Sequence, residues 1–272
     1  IIDDNISEGK KENILKTAYT LETNVKFLDT KDILGDVYTS GHISKAAYLR
    51  LALPDLLPEF VHKIIYMDVD LLVLQDIANL WNNDIKSFPL AAVPDFGIMS
   101  SARLCKQKPK FIGLEMGKAY FKSGVLVLNI DYWREHNSTQ KILDLIASNS
   151  FPHHDQDALN KIFMDNWLAL PQKWNVIPPV FFLFLKILKN NAMRANAVEA
   201  KTNPAILHYA GRYKPWEFVC KEGYNDKYYT YLALTAFKNE RMPQPGKNMK
   251  GKSIKRTMLR LSLSKLWVAL FK

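Results

Sequence analysis

Short apolar runs rich in β-branched residues alternate with stretches of helical periodicity, and that alternation most narrows what this chain can fold into. A helical pattern from Lys10 to Leu21 precedes the strand-like Val25-Lys26-Phe27-Leu28. Ser44 to Leu51 reads as helical, Lys63-Ile64-Ile65-Tyr66-Met67 as a buried strand, and Leu90–Val93 and Gly124–Leu128 as two more strands. Asp131 to Ser148 and Asp155 to Met164 follow as helices. Strands interleaved with helices predict an α/β layered domain, with a mostly parallel central sheet flanked by helices. At 272 residues, 48% hydrophobic and 12% aromatic, the chain can bury one large core.

No apolar run approaches the ~20 residues needed to span a bilayer, which argues against an integral membrane protein. Cys105 and Cys220 stand far apart, outside any CxxC or metal-ligand spacing, as expected of two reduced thiols in a cytoplasmic protein. The formal charge of +10 is unevenly placed: residues 241–272 hold nine Lys or Arg and no Asp or Glu, so residues 1–240 are almost neutral. Nucleic-acid binding by the folded domain, which needs a basic excess there, is excluded on this ground. Met242-Pro243-Gln244-Pro245-Gly246 reads as a linker between a 1–240 domain and a basic 241–272 tail. Within the tail Leu259, Leu263, Leu266 and Leu270 keep a helical spacing, with Trp267 beside them and Arg256, Arg260 and Lys265 around. An interfacial helix on an anionic membrane fits this pattern; a solvated basic tail is the bland alternative.

Three clusters carry chemistry. Asp68-Val69-Asp70 follows directly on the strand run, and residues i and i+2 of a strand share a face, so both carboxylates leave the strand end together. Such a pair at a sheet edge is a hard-oxygen site for a divalent cation, or merely a solvated strand end. Ala205-Ile206-Leu207 suggests a short strand delivering His208 to the loop His208-Tyr209-Ala210-Gly211-Arg212-Tyr213-Lys214-Pro215-Trp216. An imidazole added to two carboxylates suits Mn²⁺ better than Mg²⁺, though Mg²⁺ stays possible. Gly211 would let backbone approach a phosphate and Lys214 would offer it a point charge, unless His208 is simply packed under an aromatic loop. Asp155-Gln156-Asp157 opens a helix after His153-His154, where Asp155 could cap the helix or, with Gln156, face sugar hydroxyls.

D-x-D, D-Q-D and H-x-x-G-x-x-K-P-W, in that order, resemble glycosyltransferase family 8, which includes bacterial lipopolysaccharide galactosyl- and glucosyltransferases. The resemblance runs from about Ile1 to Trp216 and is strongest at Gly41–Trp81, Tyr120–Trp133, Asp155–Asn160 and His208–Trp216. It implies a GT-A nucleotide-sugar transferase fold and retaining transfer of galactose or glucose from UDP-galactose or UDP-glucose. The acceptor would be an oligosaccharide or glycolipid, in lipopolysaccharide or other cell-surface glycan synthesis on the cytoplasmic face of the membrane. It implies Mn²⁺ held by Asp68, Asp70 and His208, with Val69, Gly211 and Lys214 beside the nucleotide diphosphate. Arg50, Lys122, Asp155 and Gln156 fall at donor-sugar positions, and His42, Asp95 and His153 where acceptor is touched. Asp155 and Gln156 are the catalytic candidates. An amide is a poor nucleophile beside a carboxylate, so front-face attack with Gln156 stabilising the oxocarbenium-like state is favoured over a covalent intermediate.

The family usually has Asn where Phe121-Lys122-Ser123-Gly124 carries Lys122, a long, donor-only cation. Three readings stay open: Lys122 points elsewhere, alters sugar preference, or lowers activity, the last compatible with a non-catalytic binding or scaffold role. A glycosidase, the other reaction class that uses paired carboxylates, has no need of D-x-D plus His. By the same resemblance Ile1-Ile2-Asp3-Asp4-Asn5 corresponds to the end of the family's second strand, which predicts a missing uridine-binding strand, weak UDP binding and low stability.

Overall fold

The computed structural model describes residues 1–29, 49–113, 118–149, 151–182, 185, 188–211, 214–216 and 225–239. Strands are β1 (Ile2–Asp3), β2 (Leu28–Asp29), β3 (Lys63–Met67), β4 (Leu71–Val73), β5 (Leu90–Pro94), β6 (Phe121–Asn129), β7 (Leu168–Ala169) and β8 (Ile206–His208). The largest sheet runs β3-β6-β5-β7; β1-β2 and β4-β8 form two-stranded sheets. The layered α/β class holds, but not the expectation of mostly parallel pairing. Among the described strands β3-β6, β5-β6 and β4-β8 are antiparallel, and β1-β2 and β5-β7 parallel. Apolar runs report only that a strand is covered on both faces, not the direction of its neighbour.

Both faces of β5 and β6 are covered, which accounts for their unbroken apolar character. Leu90, Ala92, Leu126 and Leu128 pack with Trp133, Ile142 and Leu159 from the helices Ile130–Glu135, Ser138–Ser148 and His154–Ile162, and with Phe163 just after the last of them. Ala91, Val93, Val125 and Val127 pack on the opposite face with Leu80, Trp174, Ala205 and Ile206. Burying a side chain of this size contributes about 1.5–3 kcal/mol, so strand register is strongly fixed here. β3, expected to be buried, is half-buried along its length, because it is the outer strand of the described sheet.

The single helix expected over Asp131–Ser148 is two helices, broken where Asn137 takes a left-handed conformation (φ 49°). Asn tolerates that conformation better than most residues, and the hydrophobic period continues across the break. The first helix spans Glu8–Thr20, and the strand expected at Val25–Leu28 begins only at Leu28. Most of the Ser44–Leu51 expectation, Cys220 and the whole 241–272 tail lie outside the described residues. No helix among the described residues is long and apolar enough to cross a membrane.

Candidate active site

The β3-β6 pairing ends at Met67↔Val125, and the Asp68 N–H extends it by donating to Gly124 O at 2.9 Å. Asp68-Val69-Asp70 then forms the turn into β4 rather than strand, with Val69 97% exposed at its tip. β4 pairs with β8 in a register that sets Leu71 opposite His208, and the Tyr209 N–H closes the pair on Asp70 O at 2.8 Å. His208 is thus the last residue of a strand, not a loop residue, and the strand brings it to the acidic turn although 137 residues separate it from Asp70. Its Nε2 lies 3.2 Å from Asp70 Oδ1 and 3.7 Å from Asp68 Oδ2.

These three side chains make a donor set that fits a divalent cation. One ligand atom from each lies within 4.8 Å of the others. His208 is buried, and its Nδ1 sits 2.8 Å from Asn175 Oδ1, an acceptor that fixes the proton on Nδ1. Nε2 is then the nitrogen left to a cation, and it faces the Asp68 and Asp70 carboxylates. Gly124 provides the room: a Cβ there would lie 2.2 Å from His208 Cε1 and 2.8 Å from Asp68 Oδ2. Two carboxylates and one imidazole nitrogen form a mixed oxygen/nitrogen donor set for a divalent cation. Burial pushes the Asp70 carboxyl up, but contacts with His208 and Lys214 outweigh it and hold it well below the usual carboxylate range.

Arg50 ties the metal-facing side to the helix that follows. It donates from Nη1 to Ser123 O at 2.8 Å and from Nη2 to Asp68 Oδ1 at 3.1 Å, and its guanidinium lies over the Tyr66 ring. Tyr66 in turn donates its hydroxyl to Asp68 Oδ1 at 2.8 Å. Arg50 Nε is 3.0 Å from Asp155 Oδ2, an ion pair by distance but too misaligned for a hydrogen bond, so neither atom has a hydrogen-bond partner. The N-cap position of this helix is His153, not Asp155; the Asp155 carboxyl faces Arg50, and burial raises its pKa even though Arg50 and the backbone N–H groups of Asp155 and Gln156 oppose the shift.

Gln156 is buried and bonded on both ends of its amide. Its Nε2 donates to Asp95 Oδ2 at 3.2 Å and to the Tyr120 hydroxyl oxygen at 3.0 Å, while Oε1 accepts from Ser123 N at 3.2 Å. Asp95, expected at the acceptor, also caps the helix Phe96–Met99 by accepting from Ile98 N, and it is buried. His153, the other described acceptor candidate, is half-exposed; burial and the ammonium groups of Lys108 and Lys122 hold its imidazole below the ordinary value, against Asp157. Lys122 is half-buried, on β6 between the two residues bonded to Asn160 and Gln156. Gly211 has φ 119°, a conformation that favours glycine, and Lys214 pairs with Asp70 and donates to Tyr209 O at 2.7 Å. His42 lies outside the described residues.

Several side chains at this site gave no sequence signal as site residues: Tyr66, Lys108, Tyr120 and Asn175 look ordinary in the chain. Gly124 did carry one, since glycine inside an apolar strand marks a close approach by another group.

Residues 1–220 match the family model described as Glycosyl transferase family 8. The chain belongs to that family. It is 35% identical over 243 residues to General stress protein A of Bacillus subtilis (strain 168), covering 86% of this chain and 82% of that protein. It is 27% identical over 176 residues to a lipopolysaccharide 1,2-glucosyltransferase of Escherichia coli (strain K12), covering 64% of this chain and 49% of that one. Some relatives are far longer: the chain spans 24% of the length of GlyA from Streptococcus pneumoniae. Among solved structures it is similar to the galactosyltransferase LgtC in complex with donor and acceptor sugar analogs, with a TM-score of 0.70, 25% identity, and coverage of 85% of this chain and 82% of that one. The GT-A transferase fold expected from the motifs is the fold this family member has.

Proposed function

We propose that this glycosyltransferase is a retaining hexosyltransferase that moves galactose or glucose from UDP-galactose or UDP-glucose to an oligosaccharide or glycolipid acceptor in cell-surface glycan synthesis. The observation that carries the reading is the convergence of Asp68, Asp70 and His208 on one point, in space that Gly124 leaves open. These three would hold Mn²⁺, which supplies Lewis-acid neutralisation of the departing diphosphate when bound.

The remaining steps belong to the chain. Lys214, beside Asp70, would exchange that carboxylate for a phosphate oxygen, and Gly211 would let the loop backbone approach it. Arg50 and Asp155 offer a donor and an acceptor to the sugar's hydroxyls. The Gln156 carbonyl dipole opposes the positive charge that develops at the anomeric carbon, consistent with front-face attack by the acceptor. The 241–272 segment would be a basic tail that holds the enzyme to the inner face of an anionic membrane.

The test is a panel of UDP-sugars with and without Mn²⁺, on the unaltered chain and on Asp68→Asn and Asp70→Asn. Each substitution should remove Mn²⁺-dependent UDP-sugar binding and lower turnover by about two orders of magnitude or more, with tenfold for each ~1.4 kcal/mol. Undiminished turnover in both variants would sink the metal site.

A further inference from the structure

The Gln156 amide has partners of one kind on each end. Ser123 N can only donate, so it faces Oε1; the Asp95 carboxylate can only accept, so it faces Nε2. The Tyr120 hydroxyl could do either, but it gives its proton to Asp157 Oδ1 at 2.6 Å, which leaves its oxygen to accept from Nε2. Asp157 has no exposed surface, and it also receives the Lys108 ammonium at 2.6 Å and the His153 N–H at 2.9 Å. Its two oxygens are therefore committed to three donors.

We infer that Tyr120, Asp157 and Lys108, together with Asp95, are positioning residues that lock the Gln156 amide in one orientation, with its oxygen toward Ser123 and its NH₂ toward Asp95. A flipped amide would set its oxygen against the Asp95 carboxylate and its NH₂ against the Ser123 N–H. The lock keeps acceptor capacity on Oε1, which takes one ordinary bond from Ser123 N and only a long contact, 3.4 Å, from Ser123 Oγ. Ser123 O is itself gripped by Arg50, so the oriented amide connects to the Asp68 side of the site through a single residue. In this arrangement Asp157, its oxygens taken up by donors, supports Gln156.

The inference rests on the transferase reading above for what the oriented oxygen does, but not for the lock itself. The experiment uses Gln156→Glu, Asp95→Asn and the double variant, with Tyr120→Phe alongside. Gln156→Glu puts a carboxylate oxygen where Nε2 stood, 3.2 Å from Asp95 Oδ2, and should lower the melting temperature. Adding Asp95→Asn supplies a donor at that place and keeps the helix cap, so the double variant should regain most of the lost stability, and kcat about tenfold above Gln156→Glu alone. Tyr120→Phe should lower kcat about tenfold while KM changes less than about twofold. Additive losses in the double variant would overturn the lock, as would a Tyr120→Phe enzyme altered only in KM. Thermal rescue in a chain that transfers no sugar from any donor would support the lock and sink the transferase reading instead.

Discussion

Gly124 and His208 occupy one volume: a methyl group on the Gly124 Cα would sit 2.2 Å from His208 Cε1. The strand therefore carries glycine beside the branched run Val125-Leu126-Val127-Leu128. Gly124→Ala must displace the ring or the Asp68 carboxylate, and Asn175 holds the ring from behind. We expect about 1–3 kcal/mol of destabilisation from the overpacking and a Mn²⁺ affinity at least ~10-fold weaker. Denaturant unfolding and calorimetry with Mn²⁺ measure the two separately; a fully retained affinity would mean that the His208 position does not matter to the cation.

Asn175 is predicted to govern His208 through its tautomer. Asn175→Leu keeps the volume and removes the acceptor from Nδ1, which frees the proton to move to Nε2, the nitrogen that faces Asp68 and Asp70. Mn²⁺ affinity should fall about 10–100-fold. Asn175→Asp keeps an acceptor there and loses only an amide nitrogen that has no hydrogen-bond partner, so it should retain more affinity than the leucine variant. Equal affinities in the two variants would separate Asn175 from the metal site.

Lys122→Asn replaces a half-buried ammonium with the amide that the sequence resemblance implies for this position. Activity with UDP-galactose or UDP-glucose should rise, and the relative use of the two should change. Donor profiles that superimpose would show that Lys122 points away from the sugar.

The D-x-D, the later histidine and the D-Q-D were legible because each carries its own chemistry; the β4-β8 register brings the histidine to the D-x-D, and Arg50 links Asp68 to Asp155 of the D-Q-D. The strands at Lys63–Met67 and Leu90–Val93 were legible from apolar β-branched runs. Strand direction was not, because a strand covered on both faces carries no trace of which way its neighbour runs. Nor was the support of Gln156: Lys108, Tyr120 and Asp157 meet only because the helix Ala102–Ile112 packs near the start of the helix His154–Ile162, and nothing local encodes that meeting.

The basic tail makes a separable prediction. Deleting residues 247–272 removes Lys247, Lys250, Lys252, Lys255, Arg256, Arg260, Lys265 and Lys272, at about 1 kcal/mol each near an anionic surface. The shortened chain should be released from phosphatidylserine vesicles in flotation assays while its Mn²⁺ affinity stays within about twofold. Equal flotation of both forms would refute a membrane role for the tail.

Arg50 joins three acceptors that no single ammonium can reach at once: Ser123 O, Asp68 Oδ1 and Asp155 Oδ2. Arg50→Lys keeps the charge but loses the planar fork and the stacking over Tyr66, so turnover should fall ~100-fold or more even though the substitution is formally conservative. A pH effect should accompany it. Burial already raises the Asp155 carboxyl pKa, and the nearby guanidinium is what opposes that rise. With a shorter, less closely placed cation the pKa climbs further, so Asp155 protonates at a higher pH as the solution is acidified. If ionised Asp155 is required, the acid limb of kcat/KM must move to higher pH in Arg50→Lys, and Asp155→Asn, which cannot ionise, should lack that limb altogether. A pH–rate profile whose acid limb is the same in the unaltered chain and in Arg50→Lys would remove Asp155 from the reaction and leave Arg50 only a structural part.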